Sequence, residues 1–564
     1  MEKVNSVFSL TVTKGIYDAK RPYQSFKDKE SSGSGFIIDI NKGYVLTNAH
    51  VVRDAISIVG RLPRTGKRDI SLELVGFCRE KDLALIKISA ADIPLITTGL
   101  SPLETSNLNL KIADSMFVKP GDSISTIGYP LDSQNIKITT GVVSGFERVE
   151  DEEECSLGET NEREDSISRS PTYIQISAAI NPGNSGGPLL NNKNEVIGIN
   201  AAGYLYAQNI GYAIPSRTFL AIFPELLKLS SSKILNMPTI SLDWCRTNRE
   251  IMKKQTGSSS TYGIYVRKVY PDSCLDSLER GDIIRRIDYI DYFWKANGES
   301  NPNAFNINRE YSKWVKERLE EGKLILAQED EDRNKNKNKY ESVLVTVFFD
   351  RFGMSTKIGV LKNPKESNGD KFEFEKIFTE RKMEISEIMD MVPVNTSLQV
   401  NLCRLDENGP TWYLLQNADY EARDSDRITY AYNKIDFEIF GGLCVTNLNM
   451  NVLKKFDNLK CYGNDMNNLY CKKVIIVQIF PESQAYKTDS LREGALVKSI
   501  LAYDANMQLM KESHRCITSL EDVRFILALK SEFIQITCSD DSIFLYSTSS
   551  SSVEDKLIKE KYRI

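Results

Sequence analysis

Histidine is almost missing: the 564 residues include two, His50 and His514. Ten cysteines are scattered at Cys78, Cys155, Cys245, Cys274, Cys403, Cys444, Cys461, Cys471, Cys516 and Cys538, with no Cys-x-x-Cys pair. So few imidazoles and no paired thiols argue against a zinc site, and neither metal nor cofactor is implied. No apolar run approaches the roughly 18 residues of a membrane span. Residues 1–7 lack the long apolar core and small-residue cleavage site of a secretory signal. The expectation is an intracellular, cytoplasmic protein with free thiols, an organelle being left open. Nor is there an excess of positive charge: the net charge is −5, which argues against a general nucleic-acid-binding surface.

What is present is ordinary for globular protein, 41% apolar and 26% charged residues. The length suggests three or four domains of about 100–200 residues each. Residues 1–220 hold many short β-branched runs broken by Gly, Asn, Asp and Pro, among them 35–38, 83–86, 123–128 and 195–199. Short strands with frequent turn signals indicate an all-β sandwich or barrel. A closing helix is expected from Pro215 to about Leu229. Three segments have too little apolar surface to offset their ordering entropy: the acidic stretch 150–170, the charged Asn/Lys stretch 328–340 and the Ser/Thr run 547–552. Two later regions, beginning at 262 and 474, each read as strand, Gly turn, strand and capped helix. Those helices are expected near 310–319 and 519–529, the second with Thr518 or Ser519 as N-cap.

Chemistry concentrates in the first region. In Asn181-Pro182-Gly183-Asn184-Ser185-Gly186-Gly187-Pro188 a serine lies in a glycine-rich turn. Such a turn exposes a hydroxyl and frees backbone N–H groups to converge on one point, as acyl transfer requires. Taken singly it is only a turn. A serine nucleophile needs a base, and His50 is the sole histidine in that region, whereas His514 is more than 300 residues away and reads as a bystander. The base needs a carboxylate to hold its tautomer. Asp82, at the mouth of the apolar run 83–86, is either a surface cap or that partner. The chain order His–Asp–Ser is the trypsin-type order.

The segments GSGFII (33–38), TNAHVV (47–52), DLALIKI (82–88), AAINPGNSGGPLL (178–190) and NIGYAIP (209–215) resemble the HtrA/Deg family, serine proteases that join a chymotrypsin-fold domain to one or two PDZ domains. The segments 21–36, 128–147 and 238–244 resemble the plant-type branch with two PDZ domains. The resemblance implies a mainly β chain: a chymotrypsin-like double β-barrel protease domain over 1–230, an α+β PDZ domain over 235–362, a divergent PDZ-like domain over 433–550 and a tail over 551–564, with 363–432 unassigned. It implies an ATP-independent serine endopeptidase acting on unfolded or damaged polypeptides, with His50, Asp82 and Ser185 as triad and the amides of Gly183 and Ser185 as oxyanion hole. It also implies a homo-oligomer, trimeric or larger, with Phe8, Tyr17 and Tyr23 as candidate contacts between protomers.

In trypsin-type enzymes the residue six before the nucleophile lines the base of the specificity pocket. Here it is Ala179, so a buried cationic side chain would lack a partner, and small or aliphatic P1 residues are expected. Ile199, Asn200 and Ala201 would form the pocket wall. Asn184 replaces the Asp that trypsin-like zymogens pair with a new N-terminus, so control by loop ordering is expected, with 150–170 as a candidate regulator. The PDZ regions would take C-terminal or extended peptides by strand addition, at Ile240, Ser241 and Leu242 in the first and at 440–445 in the second. Ser241 stands where a glycine is usual and weakens carboxylate capture there. The other readings are a silenced PDZ-bearing chaperone or scaffold and a dedicated processing protease.

Overall fold

Six strands of the first region close into a barrel in the computed structural model: β1 (Val7–Ile16), β2 (Lys27–Asp39), β3 (Tyr44–Thr47), β4 (Ala55–Arg61), β5 (Ile70–Cys78) and β6 (Leu83–Ile88), in the order β1-β2-β3-β6-β5-β4. Alternation explains the walls. Val7, Phe8, Leu10 and Val12 of β1 are buried, whereas β6 is buried almost throughout, as a strand covered on both faces must be. The structure describes residues 2–564 apart from 131–134, 149–171, 204–209, 295–306, 309–339, 362–373, 421–434, 460–471 and a few isolated positions, among them Tyr17, Ser241 and His514. The acidic stretch 150–170 and the helix expected at 310–319 therefore lie outside the described residues, as does nearly all of 328–340.

A second ring of six strands follows: β8 (Ser123–Gly128), β9 (Lys137–Arg148), β10 (Thr172–Ile176), β11 (Pro188–Asn191), β12 (Val196–Gly203) and β13 (Gly211–Pro215), paired in the order β11-β8-β9-β10-β13-β12 and closed by β11 on β12. The short β7 (Ile112–Ala113) extends its edge. The expected closing helix spans Ser216–Leu226. Its Phe219, Ile222, Phe223 and Leu226 enter one apolar cluster with residues of both barrels, including Phe36, Leu85, Ile127 and Ile199. Two barrels packed on a shared core make the mainly β, chymotrypsin-like architecture that the sequence predicts.

Beyond it, β14 (Leu242–Cys245), β15 (Ile264–Val269), β16 (Ile283–Trp294), β18 (Tyr340–Phe349), β19 (Ser355–Leu361), β20 (Phe374–Thr379), β21 (Thr396–Asp406) and β22 (Gly409–Tyr420) form one sheet, β21 also pairing with β16. The two-residue β17 (Ile307–Asn308) pairs with β7. The segment 363–432, which has no sequence assignment, thus supplies three strands of this sheet and the helix Ile385–Met391, so a boundary at 362 cuts through it. The last sheet runs β23 (Glu438–Phe440), β24 (Leu443–Asn447), β25 (Val474–Ile479), β26 (Leu496–Tyr503), β27 (Phe533–Cys538) and β28 (Ile543–Ser547) in sequence order. The expected helix over 519–529 spans Leu520–Leu527, and Ser519 accepts the Asp522 N–H as its N-cap.

Two expectations are corrected here. The Ser/Thr run 547–552 and the supposed tail 551–564 form a helix, Thr548–Tyr562. Serine is only mildly unfavourable in helices, and tertiary hydrogen bonds made by Thr548, Glu554 and Asp555 hold this one. Two of the three aromatics proposed as contacts between protomers, Phe8 and Tyr23, are used within the chain, and Tyr17 lies outside the described residues. Phe8 is fully buried in the first barrel. Tyr23 packs at 5.6 Å, ring to ring, from both Phe480 and Tyr562, and its hydroxyl donates to Gln478 Oε1 at 2.6 Å. By packing, the described residues of 1–13, 30–148 and 172–424 make one compact unit and those of 14–29 and 435–564 another.

Candidate active site

His50 sits on a single helical turn, Ala49–Val52, directly after β3. Asp82 closes a turn before β6, its N–H donating to the Arg79 carbonyl at 2.9 Å. Its φ of +49° places it in the left-handed region, which Asp tolerates better than most residues. That conformation aims both carboxylate oxygens at one residue. Oδ1 accepts the His50 main-chain N–H at 2.8 Å, and Oδ2 lies 2.7 Å from the ring Nδ1. A carboxylate only accepts, so Nδ1 carries the proton and Nε2 keeps its lone pair. Buried Asn48 adds a third tie, donating from Nδ2 to the Asp82 carbonyl at 2.9 Å.

Ser185 is held by backbone geometry. The Asn181 carbonyl accepts the Asn184 N–H at 3.0 Å and Gly183 has φ +98°, the signature of a type II turn. A side chain at Gly186, also at positive φ, would put its Cβ 2.0 Å from the Ser34 carbonyl oxygen and 2.3 Å from Thr47 Oγ1. The turn therefore approaches the first barrel too closely for anything larger than hydrogen. An added Cβ on Gly33 would lie 2.7 Å from Val51, the neighbour of His50, and 3.4 Å from the Ser185 carbonyl oxygen. The segments carrying His50 and Ser185 thus meet across Gly33. The Ser185 hydroxyl donates to the Ala201 carbonyl at 2.7 Å.

Of the residues expected in the pocket, Asn200 and Ala201 lie beside the turn. The Asn200 carbonyl accepts the Gly186 N–H at 2.8 Å, and its N–H donates to Gly187 O at 2.9 Å. Ile199 points into the shared core, and Ala179 is exposed. Ile240 and Leu242 are core residues of the third sheet, and the Ile240 carbonyl holds the Ser273 hydroxyl at 2.8 Å. Burial raises the Cys78 thiol well above its ordinary value and pushes the Tyr129 phenol up to about 12. Neither is an ionised nucleophile or base near neutrality.

Two positioning groups escaped the sequence reading. Ser34, from GSGFII, is buried and donates its Oγ–H to Gly183 O at 2.7 Å, accepts Tyr129 N–H at 3.1 Å, and donates its own N–H to Ser185 O at 2.7 Å. Only its place in the GSG motif marked it. Ser34→Ala leaves the Tyr129 N–H and the Gly183 carbonyl without this partner and is expected to destabilise by about 1–3 kcal/mol, measured as a lowered urea midpoint. An unchanged midpoint would deny Ser34 that role. The second group is an ion pair. Lys81, next to Asp82, pairs with Asp390 of the helix Ile385–Met391, and both side chains are buried. The second Asp390 oxygen accepts the Thr172 N–H at the head of β10, at 2.9 Å. No motif marked Asp390, because it works only through residues more than 200 positions away.

Residues 33–199 match the family described as Trypsin-like peptidase domain. A "Probable periplasmic serine endoprotease DegP-like" of Marinomonas sp. is 32% identical over 50% of this chain and 53% of its own length. "Putative serine protease HhoA" of Synechocystis sp. is 35% identical over 45% of this chain and 60% of its own. The chain thus spans between about half and three fifths of these two relatives. A solved structure, "HtrA-type protease AlgW with decapeptide", is 27% identical over 51% of this chain and 83% of that one, with a TM-score of 0.36, too low to add to the assignment. The relatives overturn the cytoplasmic expectation. Proteins of Marinomonas sp. and Halomonas elongata are named periplasmic, which points outside the cytoplasm, and the composition of seven N-terminal residues is weaker evidence than that. On these findings residues 33–199 are a trypsin-like peptidase domain, and the chain is similar over about half its length to serine proteases named DegP-like and HhoA.

Proposed function

We propose that this chain is an ATP-independent serine endopeptidase that cleaves unfolded or damaged polypeptides, with His50, Asp82 and Ser185 as its triad. The observation that carries the proposal is the two-point hold of Asp82 on His50, which leaves the ring nitrogen Nε2 basic. In the first step the Ser185 hydroxyl leaves the Ala201 carbonyl and gives its proton to Nε2 as Oγ attacks the scissile carbonyl carbon. Asp82 stabilises the imidazolium that forms. The amides of Gly183 and Ser185 take the oxyanion, and the type II turn at Gly183 supports that role. His50 then returns the proton to the leaving amine, and water repeats the sequence on the acyl-enzyme. Position 179 is an alanine and offers no acidic group to a cationic P1 side chain, which supports small or aliphatic P1 residues beside Asn200 and Ala201.

The sheets after the barrels are proposed as the PDZ-like regions, and the homo-oligomer as the working assembly. A second reading, a silent chaperone or scaffold, is favoured by one observation: the only hydroxyl proton of Ser185 is engaged by Ala201 rather than by the base. A fluorophosphonate probe with mass-spectrometric location of the adduct decides between them. The enzyme takes the label on Ser185, and Ser185→Ala abolishes labelling and casein cleavage together. Wild-type protein that stays unlabelled where an active relative labels is the silent scaffold.

A further inference from the structure

We infer that Asn48 is a positioning residue for the acid of the proposed triad: it leaves the helix cap that its place in the chain offers and turns its amide on the Asp82 carbonyl, holding Asp82 in the left-handed conformation that presents both carboxylate oxygens to His50. The inference rests on the triad reading above. Asn48 directly precedes the helical turn Ala49–Val52, with the extended φ of −83° and ψ of 151° of an N-cap. Asparagine is among the best N-caps, its side-chain oxygen accepting an N–H two or three residues on. Here it makes no such bond. The N–H of His50, two residues on, goes instead to Asp82 Oδ1 at 2.8 Å. A carboxylate from 32 positions away thus caps the turn, and Asn48 is released for another partner.

That partner is Asp82 itself. Asn48 Nδ2 donates to the Asp82 carbonyl at 2.9 Å. The orientation is forced, because turning the amide over would set its oxygen against a carbonyl, acceptor against acceptor. The other end, Oδ1, is buried and meets no donor among the described residues. A buried oxygen without a partner costs stability, so the side chain is not placed to satisfy its own groups. It is placed to hold one carbonyl.

What that carbonyl controls is the direction of the carboxylate. Asp82 has φ +49°, a conformation in which Cβ crowds the backbone. Its N–H is fixed by the Arg79 carbonyl at 2.9 Å and its own carbonyl by Asn48. The two peptide planes that flank its Cα are thereby set, and φ and ψ with them. Without Asn48 the plane after Asp82 turns to relieve the crowding, and Oδ1 and Oδ2 leave His50 together. The neighbouring side chain acts on the turn of the nucleophile. Thr47 Oγ1 donates to the Ser34 carbonyl at 2.7 Å, and the Ser34 N–H holds the Ser185 carbonyl at 2.7 Å. Successive side chains of an extended segment point to opposite sides, so Thr47 and Asn48 brace the serine and the aspartate from one short stretch leading to His50.

The test compares full-length wild type, Asn48→Ala and Asn48→Ser. Serine caps a helix as well as asparagine does, but its hydroxyl ends one bond nearer the backbone and falls short of Asp82. Both variants are expected to lose about ten- to a hundredfold in kcat on a fluorogenic peptide, with KM near the wild-type value. Their melting temperatures should stay close to that of wild type, because the unpartnered oxygen is lost together with the bond. The low-field proton resonance of the His50 Nδ1–H, read without substrate on protein labelled isotopically at histidine and assigned with His514→Gln, should weaken and move upfield in both. Wild-type kcat in both variants, recovery by Asn48→Ser alone, an unchanged resonance, or melting far below wild type in both overturns the inference and leaves Asn48 as a helix cap or a packing residue. A wild-type protein that cleaves no peptide overturns the triad reading instead, and the resonance, which needs no substrate, then decides on Asn48 by itself.

Discussion

The exchange Asp82→Asn is expected to lower kcat for peptide hydrolysis about ten-thousand-fold with KM close to the wild-type value. An amide brings one acceptor where the carboxylate brings two. If the amide oxygen takes the His50 main-chain N–H, as Oδ1 does at 2.8 Å, its NH2 group faces Nδ1 and donates to it. The ring proton then sits on Nε2, and the base has no lone pair for the Ser185 proton. If the amide turns over, its NH2 group faces the main-chain N–H, donor against donor, and a half-buried backbone group loses its partner at about 1–3 kcal/mol. Neither orientation yields a basic Nε2 on an undisturbed turn. Ser185→Ala, which removes the nucleophile itself, should cost roughly 10⁶ in kcat. Steady-state kinetics on a fluorogenic peptide measure both, and an Asp82→Asn protein within tenfold of wild type would falsify the triad assignment.

Removing the carboxylate of Asp390 is expected to destabilise the protein by about 3–5 kcal/mol, because Asp390→Ala leaves the Lys81 ammonium buried without a counter-ion. Both side chains are less than a tenth exposed, so water cannot take over the role. Asp390 also joins the two barrels: it meets Lys81, beside Asp82 in the first, and the Thr172 N–H, on the strand leading to the Ser185 turn in the second. The folded fraction should therefore lose about ten- to a hundredfold in kcat, the cost of displacing a catalytic group by a fraction of an ångström to one ångström, with KM little changed. The double variant Lys81→Met/Asp390→Leu removes both charges and should recover most of the stability but not the kcat. Thermal melts and kinetics of the three proteins check this. Asp390→Ala melting with wild type would show the pair to be a bystander.

Much of the candidate site was legible because its parts are local or chemically unique. His50 is the only histidine near the serine in sequence, so its candidacy hardly depended on the fold. The glycines around Ser185 announced their turn, since only glycine fits 2.0 Å from the Ser34 carbonyl oxygen. Ser34 and Asp390 left little or no signal, because each acts through partners far apart along the chain. The same limit explains the boundary drawn at 362: β20 and β21 belong to the sheet through pairings with β19 and β16, which no local pattern encodes. The Ser/Thr run at 547–552 misled for a related reason, as its helix is stabilised by the Gly441–Gly442 turn more than 100 positions earlier.

By itself the sequence pointed to the candidate chemistry: a serine in a glycine turn, one histidine in the same region and one carboxylate before an apolar strand. These follow from residue type and short spacing, which survive any folding of the chain. Tertiary structure decided the rest. It aimed both Asp82 oxygens at His50, tied Lys81 to Asp390, and set Asp555 on the Gly441–Gly442 turn. Each is a contact across long sequence separation, and such contacts exist only after the chain has closed its loops and excluded water from the groups that meet.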